Sequence, residues 1–225
     1  MRGLFVTGTD TEVGKTVVAA ALLAALAARG ESVAAFKPIV TGTDEPPGDK
    51  PADHELLAQC AGMAPEDVAP LRFGPPVSPH LAAELAGEPI DPRALAARAR
   101  ELGAERGTLI AEGVGGLLVP LTPDYLVRDL ATELDLPVVI VARPGLGTIN
   151  HTLLTVEAAR SAGLEIAAVV LTPWPDEPSA LQGSNRETIA HLARVEVAVL
   201  PQVDRFEPDA LAAAGAGLPV RRWMA

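Results

Sequence analysis

The chain has one cysteine, Cys60, in 225 residues. A lone cysteine forms neither an internal disulfide nor a Cys-x-x-Cys metal knuckle, as expected of a chain kept in a reducing compartment. Basic residues are in the minority, with 18 Lys and Arg against 29 Asp and Glu and a net charge of −11. The averaged field therefore repels phosphate backbones and anionic lipid surfaces, which argues against nucleic-acid and membrane partners. Long apolar runs are also missing. The uncharged stretch Thr16–Ala28 falls short of the ~20 residues that span hydrocarbon. Met1-Arg2-Gly3 leads straight into an apolar strand, without the layout of a signal peptide. These absences predict a cytoplasmic protein. No His-x-x-x-His spacing joins His54, His80, His151 and His191, so a zinc hydrolase is not supported. No Gly-x-Ser-x-Gly elbow is present either, which removes the most recognisable serine-hydrolase signal. Gly and Pro together stay below the ~25–30% at which disordered and low-complexity chains begin.

Short β-branched runs alternate with longer Ala/Leu segments, the order that βαβ units produce. The expected strands are Gly3–Thr7, Ser32–Phe36, Thr108–Ala111, Pro137–Ala142, Ile166–Leu171 and Glu196–Leu200. They are continuously apolar rather than alternating, as in a parallel sheet covered by helices on both faces. The expected helices are Gly14–Arg29, Ala52–Ala61, Pro92–Arg106, Ile149–Ala162 and Leu181–Ala193, with Asp91 as N-cap before Pro92. No repeat or linker divides the chain. The Pro/Gly-rich tracts Thr41–Pro51 and Phe73–Pro79 fall where functional loops of such a sheet would be. The fold expected is α/β: a single doubly wound domain over residues 1–225, with a mostly parallel sheet.

The strongest chemical signal is Gly8-Thr9-Asp10-Thr11-Glu12-Val13-Gly14-Lys15-Thr16, between an apolar strand and an Ala-rich helix. Such a loop offers backbone N–H groups and a helix N-terminus to phosphate oxygens. The lysine reaches the terminal phosphates, and the threonine hydroxyl can bind Mg²⁺. Five residues separate Gly8 from Gly14 where the common P-loop has four. The second signal is Glu112-Gly113-Val114-Gly115-Gly116 after a strand, an acid placed to bind Mg²⁺ directly or through water. The third is Lys37-Pro38 at the end of the second strand, which points a lysine toward the same crevice. Asp53 reads equally as a Mg²⁺ carboxylate or as an N-cap. Ser78-Pro79-His80 reads as a ligand-facing loop or as a structural turn.

Taken together, the loop Gly8–Thr16, Lys37-Pro38-Ile39-Val40-Thr41-Gly42, Ser78-Pro79-His80, Glu112-Gly113-Val114-Gly115-Gly116 and Gly147-Thr148-Ile149-Asn150-His151-Thr152 resemble the dethiobiotin synthetase family. The match runs in order over the chain up to about Thr172. The resemblance implies ATP- and Mg²⁺-dependent closure of the ureido ring of dethiobiotin from 7,8-diaminononanoate and CO₂, through a carbamate and a carbamic–phosphoric anhydride.

By the same resemblance, Lys37 holds the carbamate and γ-phosphate, Lys15 the phosphates, and Thr11 lies close to the reacting groups. Thr16, Asp53 and Glu112 are implied as Mg²⁺ ligands. Nucleotide contacts are implied for Glu12, Val13, Gly14, Lys15, Thr16 and Val17, for Asp53, for Glu112, Gly113, Val114 and Gly115, and for Pro201, Gln202 and Val203. Thr41 is implied to bind the substrate. Gly147, Thr148, Ile149 and Asn150 are implied to receive its carboxylate across a homodimer interface. One departure stands out: many relatives carry an Asn-Asp pair for adenine after the fifth strand, where this chain reads Leu171-Thr172-Pro173-Trp174. That change predicts tolerance of other nucleoside triphosphates. The main rival is a regulatory switch ATPase, whose relatives carry a second lysine near the position of Asp10.

Overall fold

The computed structural model describes residues 1–46, 48 and 50–225. In chain order the elements are β1 (Arg2–Gly8), α1 (Lys15–Ala27), β2 (Val33–Phe36), β3 (Ile39–Thr41), α2 (Asp53–Ala61), α3 (Pro65–Val68) and β4 (Leu71–Phe73). They continue as α4 (Pro79–Ala86), α5 (Pro92–Arg106), β5 (Thr108–Gly116), β6 (Pro120–Thr122), β7 (Tyr125–Leu126), α6 (Val127–Leu134) and β8 (Val138–Ala142). The chain closes with α7 (Thr148–Ser161), β9 (Ile166–Trp174), α8 (Ala180–Ala193), β10 (Val197–Pro201), α9 (Pro208–Gly215) and α10 (Val220–Trp223).

Six strands form one sheet in the order β10-β9-β8-β1-β5-β2. Every pairing within it is parallel. Alternate side chains leave opposite faces of a strand, and the core follows that period. Phe5, Phe36, Leu109, Ile140 and Leu171 pack on one face with residues of α5, α6, α7 and α8. Leu4, Val6, Ala35, Ile110, Val141 and Val170 pack on the other with residues of α1, α2, α9 and α10. Strands covered on both faces have no polar side to show, which is why they read as unbroken apolar runs.

The helix α1 is buried almost all round, from Val18 through Leu26. Its alanines let α9 approach until a Cβ on Gly215 would stand 2.5 Å from the Ala21 carbonyl oxygen. Asp91 caps α5, accepting from the backbone N–H groups of Arg93 and Ala94. Among the described residues, no helix is long and apolar enough to cross a membrane.

The observed architecture is the expected α/β sheet, with three local corrections. β5 does not stop at Ala111 but runs to Gly116, so Glu112 lies inside a strand and pairs in register with Val6. Gly113 within this strand serves packing: a Cβ there would lie 2.8 Å from Val127 Cγ1 and 3.2 Å from Phe5 Cε1. Asp53 is the first residue of α2, and Ala52 precedes it as the cap position, so the N-cap reading of Asp53 falls. Ser78-Pro79-His80 is neither a free loop nor an isolated turn, since Pro79 starts α4 with Ser78 at its N-cap position. The small parallel pair β3-β4 and the antiparallel pair β6-β7 were not anticipated.

Candidate functional site

The strand order reverses around β1, which is flanked by β5 and β8, and the crevice beyond the carboxyl ends of such strands is where α/β sheets take ligands. The loop from β1 to α1 lies at this point. Gly14 sits before α1 at φ 96°, a left-handed conformation that favours glycine. A Cβ there would also meet the Thr172 methyl carbon at 2.7 Å. Lys15 folds back over the loop, its Nζ donating to the Asp10 carbonyl at 2.8 Å. Val13 is buried in the core, which leaves its backbone to serve the loop.

Lys37 leaves the sheet immediately after β2, and its ammonium is buried between two carboxylates. Nζ lies 2.6 Å from Glu112 Oε1 and 2.7 Å from Asp53 Oδ2. Thr16 Oγ1 donates to the same Glu112 oxygen at 2.9 Å. The other oxygen, Oε2, is buried and has no hydrogen-bond partner among the described residues. Burial opposes the charge on Lys37, but Glu112 and Asp53 together outweigh it and hold its pKa above the ordinary lysine value. Burial likewise disfavours the Asp53 carboxylate, and here the Lys37 ammonium beside it overrides burial and lowers the pKa. Among the described residues Lys15 has no carboxylate in contact, and burial lowers its pKa against the more distant pull of Glu112. Burial pushes Glu112 up.

Two adjoining cavities meet at this cluster, sharing Glu12, Lys15, Lys50, Pro51 and Asp53 in their walls. The larger, about 1030 Å³, is walled by Thr11, Lys37, Thr41, Gly42, His54, Ser78, Pro79, Val114 and Gly115 among others. The smaller, about 460 Å³, is walled by Gly14, Thr16, Val17, Leu56, Glu112 and Phe206. Both Pro/Gly-rich tracts contribute walls, as their composition suggested; within the first, Pro47 and Asp49 lie outside the described residues.

The structure therefore gathers Thr11, Glu12, Gly14, Lys15, Thr16, Val17, Lys37, Thr41, Asp53, Glu112, Val114 and Gly115 around one space. Others stand apart. Pro201, Gln202 and Val203 wall neither cavity, and from that loop Phe206 does. Gly147 caps α7 at φ 90°, and Thr148, Ile149 and Asn150 form the first turn of that helix, away from both cavities. Beside them Leu146 and Leu154 are 91% and 61% exposed. Sequence reasoning missed Phe206, which walls the smaller cavity and belongs to the C-terminal part beyond Thr172 that the motifs leave uncovered.

A family model described as an AAA domain matches residues 2–210. Similar sequences include the ATP-dependent dethiobiotin synthetase BioD of Anaeromyxobacter dehalogenans, 44% identical over 212 residues, or 93% of this chain and 92% of that protein. The same-named protein of Bacillus subtilis is 40% identical over 199 residues, 88% of this chain and 85% of that one. Among solved structures, the cell division ATPase MinD of Pyrococcus furiosus superposes with a TM-score of 0.59 at 20% identity, covering 99% of this chain and 97% of that one. The MinC:MinD complex of Aquifex aeolicus gives 0.59 at 13% identity, covering 96% and 94%. At such identities the structural likeness establishes the fold alone.

Proposed function

Because this chain belongs to the dethiobiotin synthetase family, ATP-dependent ligases of biotin biosynthesis, we propose a mechanism in which its two buried lysines bring two anions together. One amine of 7,8-diaminononanoate adds CO₂ and releases a proton, giving a carbamate. A carbamate oxygen attacks the γ-phosphorus of ATP, forming the mixed anhydride and releasing ADP. The second amine then attacks the carbamoyl carbon, expels phosphate, loses its proton and closes the ureido ring. Carbamate and triphosphate repel each other, so the protein's work is positioning and charge stabilisation rather than covalent chemistry.

The observation that carries this reading is the Lys37 ammonium, buried between Glu112 and Asp53 beside the phosphate loop. Lys37 holds the carbamate and the γ-phosphate, while Lys15 and the backbone from Glu12 to Val17 hold the phosphates. Thr11 lies against the reacting groups, with Thr41 on the diamine. Val114 and Gly115 line the reacting side of the site, Gly113 supports it through packing, and the loop of Pro201, Gln202 and Val203, outside both cavities itself but bringing Phe206 to the smaller one, is assigned to the base. Together residues 1–225 act as a single domain.

The donor set also fits Mg²⁺. Thr16, Asp53 and Glu112 offer the hard oxygens that Mg²⁺ takes, and Glu112 Oε2, buried without a hydrogen-bond partner among the described residues, would be free to bind it. Among the described residues, no three His, Cys, Asp or Glu side chains cluster to hold a metal by themselves. This suits Mg²⁺, which is usually held by one or two carboxylates together with phosphate oxygens and water. When bound, it would supply positive charge to the triphosphate.

The start of α7, from Gly147 to Asn150, takes the substrate carboxylate from across a homodimer interface, through free N–H groups at a helix N-terminus. The exposure of Leu146 and Leu154 supports a second copy covering this face. A monomer alone in sedimentation at assay concentration would remove this part of the reading. A regulatory switch ATPase draws support only from the shared fold, whereas the sequence relatives are synthetases.

The deciding experiment is phosphate release with MgATP and bicarbonate, with and without 7,8-diaminononanoate, together with the product mass. Diamine-dependent release with dethiobiotin as product is expected. Diamine-independent hydrolysis would favour the switch reading instead. The same assay tests the base. Leu171-Thr172-Pro173-Trp174 carries no side-chain amide to pair with adenine, so CTP and GTP are expected to support turnover. Rates below about a hundredth of the ATP rate, a gap of roughly 2.7 kcal/mol, would show that adenine is read elsewhere.

A further inference from the structure

Two side chains outside every sequence motif reach the phosphate loop through the backbone. β8 ends at Ala142, and the next residue, Arg143, turns its guanidinium onto the loop. Nε and Nη2 both donate to the Glu12 carbonyl, at 3.3 and 3.0 Å. Glu12 is a non-glycine residue at φ 54°, a left-handed conformation that a Cβ disfavours and surrounding contacts must hold. In a trans peptide the carbonyl and the following N–H point in opposite directions. With the Glu12 carbonyl drawn to Arg143, the Val13 N–H faces the other side of the loop. Were this peptide to flip, an oxygen would replace a donor on that side and repel an anion.

Arg143 is itself held in place. Asn185, on α8 and only 4% exposed, donates through Nδ2 to the carbonyls of Pro144 and Gly145, at 3.1 and 3.0 Å. Both partners are acceptors, so only the amide nitrogen fits there. These are the two residues after Arg143, and a buried side chain thereby sets how the chain leaves β8 and enters α7.

We propose that Arg143 and Asn185 are positioning residues for nucleotide binding: Asn185 fixes the β8-α7 turn, and Arg143 from that turn holds the Glu12 peptide in its anion-accepting orientation. The proposal rests on the reading of Gly8–Thr16 as the nucleotide loop. Neither side chain touches a reacting group in this account. A guanidinium is required because a lysine ammonium, a single point charge, does not offer the paired donors that Arg143 directs at one oxygen.

The test compares Arg143→Gln, Arg143→Lys and Asn185→Ala in the full chain, by calorimetric titration with MgADP and by steady-state kinetics at varied ATP and varied diamine. Arg143→Gln is expected to weaken MgADP binding and raise the KM for ATP by about 10-fold, the loss expected of a charged hydrogen bond. Its kcat and its KM for the diamine should change by less than about 3-fold, half a decade in the same terms. Arg143→Lys should recover part of the loss, and Asn185→Ala should shift ATP binding in the same direction. An Arg143→Gln variant with wild-type MgADP affinity and KM for ATP would overturn the proposal. So would equal loss of affinity for ATP and diamine, which would mark a merely structural role. Should wild-type protein release no diamine-dependent phosphate, the functional reading fails instead, and the MgADP titration still scores Arg143.

Discussion

Replacing Lys37 with alanine is expected to lower dethiobiotin formation at least about 100-fold, the loss that follows when a preorganised charge at a developing anion is removed. The ammonium is held by the protein's own groups, 2.6 Å from Glu112 and 2.7 Å from Asp53, so it is preorganised to meet an anion. The loss should fall on kcat more than on nucleotide affinity, because Lys15 and the loop backbone remain. Arginine at the same position keeps the charge but not the compact head, and it is not expected to restore the rate. Stability should fall as well, since the substitution leaves the buried Glu112 carboxylate without its counter-ion. Turnover therefore has to be normalised to folded protein. A normalised rate near that of the wild type would remove Lys37 from the mechanism.

The largest stability effect is expected at the other end of the chain, beyond the residues that the family model matches. Trp223, on α10, is 4% exposed and packs in the same core as Leu218, Val220 and α1. Its indole N–H donates to Glu196 at 3.2 Å. The flanking arginines secure the same segment. Arg222 pairs with Glu196 just before β10, and Arg221 lies 2.7 Å from Glu31, which also holds Arg2 at 3.1 Å. The exposed pairs add little by themselves, so the burial of the indole dominates. Trp223→Ala should cost about 3–5 kcal/mol, from lost apolar contact and the cavity left behind. For a chain of this size that lowers the melting temperature by about 6–20 °C. A denaturant titration showing less than about 1 kcal/mol would mean that the segment lies on the core without being part of it.

Legibility in the sequence followed the range of the physics involved. All six sheet strands and five of the helices stood out because each satisfies its pattern within a dozen residues. α6 was not expected although its buried residues Val127, Leu130, Ala131 and Leu134 keep helical spacing, because its 8 residues are shorter than the window over which that period registers. α9 likewise carried a signal, Pro208 at its first position. The pairs β3-β4 and β6-β7 are only two or three residues long per strand, too short for any alternation to register.

Within the site, Lys15 and Thr16 were legible from the order of strand, loop and helix, and Lys37 from its place at a strand end. Glu112 was expected just past the end of its strand, whereas β5 runs through it to Gly116, since strand propensity does not stop at a glycine when neighbours on both sides supply hydrogen bonds. From local rules alone Asp53 was open between a cap and a metal carboxylate, and only the family resemblance favoured the second, because one residue decides between a cap and the first helical position and boundaries are where local rules are weakest.

By itself the sequence determined the doubly wound α/β class, the phosphate loop and membership of the synthetase family, because strand period, glycine placement and motif order are properties of contiguous residues. Only the tertiary structure decided which charges and backbone groups meet. Lys37 and Glu112 are 75 residues apart, and Arg143 and Glu12 are 131 apart. Hydrogen bonds form over about 3 Å, so these contacts follow from the order of strands in the sheet, and no spacing along the chain encodes them.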